Sequence, residues 1–144
     1  MALRANQMDD SGCQGGFLVI KSIEHVAVVT TDVERAARFY TEVLGFREVG
    51  RLETSHSGTL VFVGLNGTTV ELFGNGKARS SSGGNEVGYK HICLRVDDVD
   101  AEYARLKALG VDFHMEPATV DAGLRIAFFR DPDGNPIELM QRPG

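Results

Sequence analysis

Two cysteines in 144 residues are too few for a disulfide framework, and their scarcity fits a reducing compartment. No stretch reaches 18 apolar residues, which argues against a bilayer-spanning helix, and the opening "MALRANQMDDSGCQGGF" lacks the apolar segment of a signal peptide. Residues 1–20 are therefore expected to be a flexible leader, and the protein is expected in the cytoplasm. Basic charge is also short: 15 Lys and Arg against 20 Asp and Glu give a net charge of −5, and the pI is near 5.3. Nucleic acid needs a basic face, and no run of Lys or Arg marks a membrane surface, so the expected partners are small molecules. What the chain does hold is 42% hydrophobic residues. At this length they suffice for one globular domain, or two small halves sharing a core, that buries roughly 68–70% of its unfolded surface.

The chain repeats itself. "HVAVVTTDVERAARFYTEVLGF" lies against "HICLRVDDVDAEYARLKALGV", and "NGTTVEL" lies against "DGNPIEL". His25 falls on His91, and Asp32-Val33 on Asp98-Val99, at an offset of 66 residues; Leu44-Gly45 falls on Leu109-Gly110 at 65, and Glu71 on Glu138 at 67. Each half thus opens on a His and closes on a Glu, 46 residues later in the first half and 47 in the second. Two similarly folded units would place these residues at equivalent points, so that four side chains could converge about a pseudo-twofold axis.

Local patterns give each half the same plan. In "HICLRV" the period of two sets Ile92, Leu94 and Val96 on one face and His91, Cys93 and Arg95 on the other; "IEHVAVV" is apolar on both faces after His25. Both read as strands starting with His. A helix follows, with Thr31 and Glu34 as a capping box, Val33, Ala36, Ala37, Tyr40 and Leu44 as its apolar stripe, and Gly45 at its end. The second helix repeats this with Asp97, Val99, Tyr103, Leu106, Leu109 and Gly110. Three strand-length runs then complete each half, with Asn66-Gly67 and Asp133-Gly134 as hairpin turns. The expected fold is α+β: two β-α-β-β-β modules, residues 21–74 and 89–142, forming a curved mixed sheet with helices outside. Residues 75–88 are a Gly/Ser-rich linker, a flexible connection first and a lid second.

In "PIELM" and "TVELF" the same period puts Glu138 and Glu71 on the face away from the helices. One Glu or one His on a strand is ordinarily unremarkable. Two of each, at matching places in two modules, make a constellation: two neutral imidazoles and two carboxylates neutralise a divalent ion, and the ion removes the cost of burying the carboxylates. His25, Glu71, His91 and Glu138 are therefore expected to hold one metal. Without thiolates the set suits Zn, Ni, Co, Mn or Fe(II), and an octahedral ion would keep two positions open for substrate. His56 is expected in a surface loop, His114 at the periphery, and Cys93 as a small buried thiol.

These residues, with "HVAVVTTDVERAARFYTEVLGF" and "DPDGNPIEL", resemble the vicinal oxygen chelate superfamily, also called the glyoxalase, bleomycin-resistance and dioxygenase fold, over roughly residues 21–142. The order His, Glu, His, Glu is most similar to glyoxalase I (lactoylglutathione lyase). That resemblance implies a metal-dependent lyase or isomerase, with Ni, Zn or Co favoured. It would convert a hemithioacetal of a 2-oxoaldehyde to a thioester through a metal-bound enediolate. It also implies a homodimer, Glu138 as the base with Glu71 as its counterpart, and Asn75 as a substrate contact. Arg95, on the His91 face, is expected to bind a substrate carboxylate or phosphate. Val29 stands where glyoxalase I commonly carries an Arg, so the thiol is left open. The alternatives are a methylmalonyl-CoA-type epimerase, an Fe(II) extradiol dioxygenase and a noncatalytic binding or resistance protein.

Overall fold

A computed structural model describes residue 20 and residues 22–78 and 87–144. The expected leader apart from Ile20, Cys13 within it, and residues 79–86 of the linker with its lid reading lie outside the described residues. The elements run β1 (His25–Val29), α1 (Val33–Arg38), a π turn (Phe39–Val43), β2 (Arg47–Thr54), β3 (Gly58–Leu65) and β4 (Thr68–Phe73). The second half follows as β5 (Ile92–Arg95), α2 (Val99–Ala108), β6 (Asp112–Thr119), a 3-10 turn (Asp121–Gly123), β7 (Arg125–Arg130) and β8 (Pro136–Gln141). Each half makes its own four-stranded mixed sheet, ordered β1-β4-β3-β2 and β5-β8-β7-β6. The first strand runs parallel to the last, and the remaining pairs are antiparallel. This is the doubled β-α-β-β-β plan of an α+β fold. Among the described residues no helix is long and apolar enough to cross a membrane.

The period of two decides what each sheet buries. Val61, Val63, Val70 and Leu72 in the first sheet, and Ala127, Phe129, Ile137 and Leu139 in the second, join Ala36, Tyr40, Val99 and Leu106 of the helical segments in one buried cluster. The halves share it: the Phe39 and Phe129 rings lie 6.4 Å apart between centroids. Leu109 drops out of the expected stripe, 57% exposed, because it stands at the C-cap after the last full turn.

Both α-helices are capped by the repeat-matched aspartates. Asp32 Oδ1 accepts from the Arg35 N–H at 3.0 Å and Asp98 Oδ1 from the Ala101 N–H at 2.9 Å. The capping box expected of Thr31 and Glu34 is corrected by this geometry. The Asp32 carboxylate, one residue later, supplies the acceptor; the Thr31 hydroxyl donates to Asp133 and Glu34 pairs with Arg51. Between cap and terminal glycine the first half holds one residue more than the second. The surplus is absorbed as the π turn, where the Leu44 N–H reaches back five residues to the Phe39 carbonyl at 3.1 Å. Gly45 and Gly110 then end both segments at φ 81° and 82°.

The hairpins differ. Asn66 and Gly67, at φ 47° and 82°, form the expected two-residue turn. The second connection is a five-residue loop, 131–135, rather than a turn at Asp133-Gly134 alone. Buried Asp131 organises it, accepting from the backbone N–H groups of Asp133 (3.0 Å) and Asn135 (2.9 Å) and from the Tyr40 hydroxyl (3.2 Å). Asp133 is thereby aimed at the other half. It accepts from the Thr30 hydroxyl, the Thr31 N–H (2.9 Å), the Thr31 hydroxyl (2.6 Å) and Arg35 (3.0 Å). On the far side of Thr30, Gly76 donates its N–H to the Thr30 carbonyl at 2.9 Å, so close that a Cβ would lie 2.8 Å from that oxygen.

Candidate metal centre

The parallel pairing of first and last strands builds the same contact twice. β1 and β4 register Ala27 with Glu71, leaving His25 on the same face; its Nε2 lies 3.1 Å from Glu71 Oε2. β5 and β8 register Cys93 with Glu138, and His91, which immediately precedes β5 rather than starting it, has Nε2 2.8 Å from Glu138 Oε2. Both carboxylates leave the helix-packed face, as the alternation predicts. They do not reach bulk water: their side chains are 12% and 8% exposed.

Each of these little-exposed carboxylates has one imidazole beside it. Among the described residues no arginine pairs with either carboxylate. One imidazole nitrogen and one carboxylate oxygen are the donor types a divalent transition ion takes. The four expected ligands are brought together two by two. Among the described residues of one chain, no group of three or more His, Cys, Asp or Glu could hold a metal. Each half therefore presents one imidazole and one carboxylate.

The two half-sets are not identical. His25 Nδ1 is hydrogen-bonded to the Glu24 carboxylate, which fixes the ring. That bond, opposed by partial desolvation and assisted by the charge of Glu71, raises the His25 pKa above its ordinary value. The repeat counterpart of Glu24 is Lys90. Cys93 is exposed rather than buried. Partial desolvation of its thiol and the neighbouring Glu138 charge nevertheless push its pKa up to about 11.

Arg95 lies on the His91 face, in register with Met140, and among the described residues it forms no ion pair with Asp97, Asp98 or any other acid. Asn75 follows β4 at φ 61° with its side chain against Gly58, which opens β3 after the β2–β3 turn. His56 is exposed in that turn. His114 is exposed on the edge strand β6, as expected, with its ring 5.7 Å from that of Phe128, which also meets His91. Sequence reasoning passed over Phe62 and Phe128, although they repeat at the 66-residue offset of the histidines. It also passed over Glu24, for which no repeat signal exists.

Comparison with known proteins agrees with this construction. The family profile of the Glyoxalase/Bleomycin resistance protein/Dioxygenase superfamily matches residues 22–139. A probable lactoylglutathione lyase of Vibrio cholerae is 36% identical over 125 residues, covering 83% of this chain and 89% of its own length. The lactoylglutathione lyase of Salmonella typhimurium is 34% identical over 123 residues, covering 81% and 90%. Among solved structures, TnmS3, an antibiotic binding protein from Streptomyces sp. CB03234, superposes with a TM-score of 0.67 at 32% identity, covering 88% of this chain and 99% of that one. With a family match spanning nearly the whole repeat and the same fold in solved relatives, this chain belongs to the glyoxalase/bleomycin resistance protein/dioxygenase superfamily.

Proposed function

We propose that the chain is a metal-dependent lyase or isomerase of the lactoylglutathione lyase kind, acting in the cytoplasm on the hemithioacetal of a 2-oxoaldehyde. The observation that carries this reading is the doubled His–Glu pair: His25 with Glu71, and His91 with Glu138, each carboxylate buried and without an arginine. In this reading a homodimer joins the His25–Glu71 half of one copy to the His91–Glu138 half of the other. The nitrogen and oxygen donors favour Ni, Zn or Co, and tolerate Mn or Fe(II). The names of the Vibrio and Salmonella relatives support the reaction class.

His25, Glu71, His91 and Glu138 would hold the divalent ion, which would supply Lewis acidity that makes the C–H beside the substrate's adjacent oxygens easier to ionise. Glu138 takes that proton from the carbon bearing sulfur and returns it to the neighbouring carbon. The hydroxyl proton passes to the neighbouring oxygen, so the hydroxyl carbon becomes the thioester carbonyl, the former carbonyl becomes an alcohol, and the conversion is an isomerisation with no atom gained or lost. Glu71 occupies the equivalent place in the other half and serves the opposite handedness. Arg95, unpaired among the described residues, offers its guanidinium fork to a substrate carboxylate or phosphate, and Asn75 contacts the thiol portion.

Glu138→Gln should keep much of its metal yet lose on the order of 10²–10⁴ in kcat. In heavy water the wild type should incorporate or transfer the isotope at the substrate carbon. Near-normal turnover of the fully loaded variant would move the base to Glu71. A second reading is favoured by the likeness to TnmS3 and by a cavity of about 490 Å³ between β1 and the β5–β8 edge, lined by Val26, Val28, Ile92 and Ile137: a noncatalytic binder of small apolar molecules. Elemental analysis of protein purified without chelator separates the two, because the binder reading needs no metal.

A further inference from the structure

Phe62 and Phe128 stand 66 residues apart, the same offset as His25 and His91. Phe62 lies on β3 directly across from Glu71, and Phe128 on β7 directly across from Glu138. Each glutamate strand is thus flanked on the open face by its histidine on one side and its phenylalanine on the other. The rings meet over the carboxylate: His25 and Phe62 are 5.9 Å apart at 77°, His91 and Phe128 5.2 Å apart at 80°. A contact reproduced at the same distance class and angle in two halves that differ at most other positions is constrained by what the halves share, the His–Glu pair.

An imidazole can pivot about its Cβ–Cγ bond, a rotation that the Glu138 contact restrains weakly at His91, while His25 is held at both nitrogens, by Glu24 and Glu71. An edge-to-face aromatic contact favours one ring plane over the others. It also places an apolar wall against the donor atoms and slows water entry. We propose that Phe62 and Phe128 are positioning residues that fix the ring planes of His25 and His91, and that they thereby set the affinity and geometry of the metal the two pairs take up. The inference rests on the metal reading above, but it concerns the rings themselves. The second half adds a further ring: His114 lies against Phe128 at 43°, whereas the residue at the same bulge of the first half is the non-aromatic Val49.

The test compares Phe62→Leu and Phe128→Leu with Phe62→Tyr and Phe128→Tyr. Leucine keeps apolar volume but loses the aromatic contact, whereas tyrosine keeps the ring. Cobalt(II) is the probe, titrated against a chelator and followed by its visible absorption. Both leucine variants should bind cobalt 10- to 100-fold more weakly, with an altered spectrum, the range typical of lost support around a metal ligand. Both tyrosine variants should match the wild type. Leucine variants within twofold of the wild type, with its spectrum, would overturn the proposal while leaving the metal reading intact. A wild type that binds no cobalt or other divalent ion would defeat the metal reading. The rings are then read in the metal-free protein. The imidazole ¹⁵N resonances of His25 and His91 should be single and sharp in wild type and tyrosine variants, and shifted by averaging in the leucine variants. Unchanged resonances there would overturn the proposal on their own.

Discussion

Cys93 registers with Glu138, while its counterpart in the first half, Ala27, registers with Glu71. One carboxylate of the pseudo-symmetric pair therefore has a thiol for a neighbour and the other a methyl group. Partial desolvation and the Glu138 charge hold that thiol protonated, with a pKa of about 11. In a Cys13→Ser background Cys93 should react with a disulfide reagent at pH 8 on the order of 10²-fold more slowly than an ordinary exposed cysteine, in step with its thiolate fraction. Glu138→Gln should speed it several-fold by removing the opposing charge, and an ordinary rate in the parent would contradict the assigned environment. At this scale the sequence was legible where identity repeated. His25 with His91 and Glu71 with Glu138 stood out because like matched like at one spacing, and Asp32 with Asp98 did too, though the cap was assigned to Thr31. Glu24 was illegible because its counterpart is Lys90: a contact built in one half leaves no periodic trace.

Among the elements, the five-residue loop 131–135 connects the halves most directly. Asp133 crosses from the second half to Thr30, Thr31 and Arg35 at the junction of β1 and α1 in the first. Burial pushes its pKa up, but the hydrogen bonds from Thr30 and Thr31 and the charge of Arg35 more than offset this, and the net direction is downward. A carboxyl whose folded pKa is depressed stabilises the fold above its ordinary value of 3.8, and that contribution is lost as pH falls through the folded value. Asp133→Ala should cost about 1–2 kcal/mol near neutrality, because it removes the acceptor of the buried Thr30 hydroxyl and the charge-assisted contact with Arg35. Its Tm should also fall less steeply than the wild type's below pH 4; parallel acid limbs in thermal melts would count against the clamp. The loop was legible only as a turn. "DPDG" announces a reversal of direction, but that Asp131 folds inward to accept from Tyr40, and so aims Asp133 at the first half, depends on packing between residues about 90 apart in sequence.

For the whole molecule, the doubling was fully written in the chain, and so was the face on which each His–Glu pair lies. What the spacing could not decide was whether the two pairs meet within one chain. Among the described residues of one chain they do not, which makes a two-copy site directly testable. A variant carrying His25→Ala and Glu71→Ala, and another carrying His91→Ala and Glu138→Ala, should each be inactive. Mixed through reversible unfolding in equal amounts, they should recover about a quarter of wild-type activity, since half the dimers are mixed and each of those keeps one intact site. No recovery, with mixed dimers demonstrated by mass, would place the site within a single chain.

The π turn shows where this architecture can miscount without harm. One surplus residue between Asp32 and Leu44 bulges out of a helical segment, and the chain leaves it at the same kind of glycine as its shorter twin. The other changes of offset are confined to turns and to the irregular stretches of β2 and β6. A residue gained inside β4 or β8 would instead turn Glu71 or Glu138 onto the helix-packed face. Length variation in descendants of this chain, or in libraries made from it, is therefore free to accumulate in helices and hairpins, while the strands bearing His and Glu keep their count.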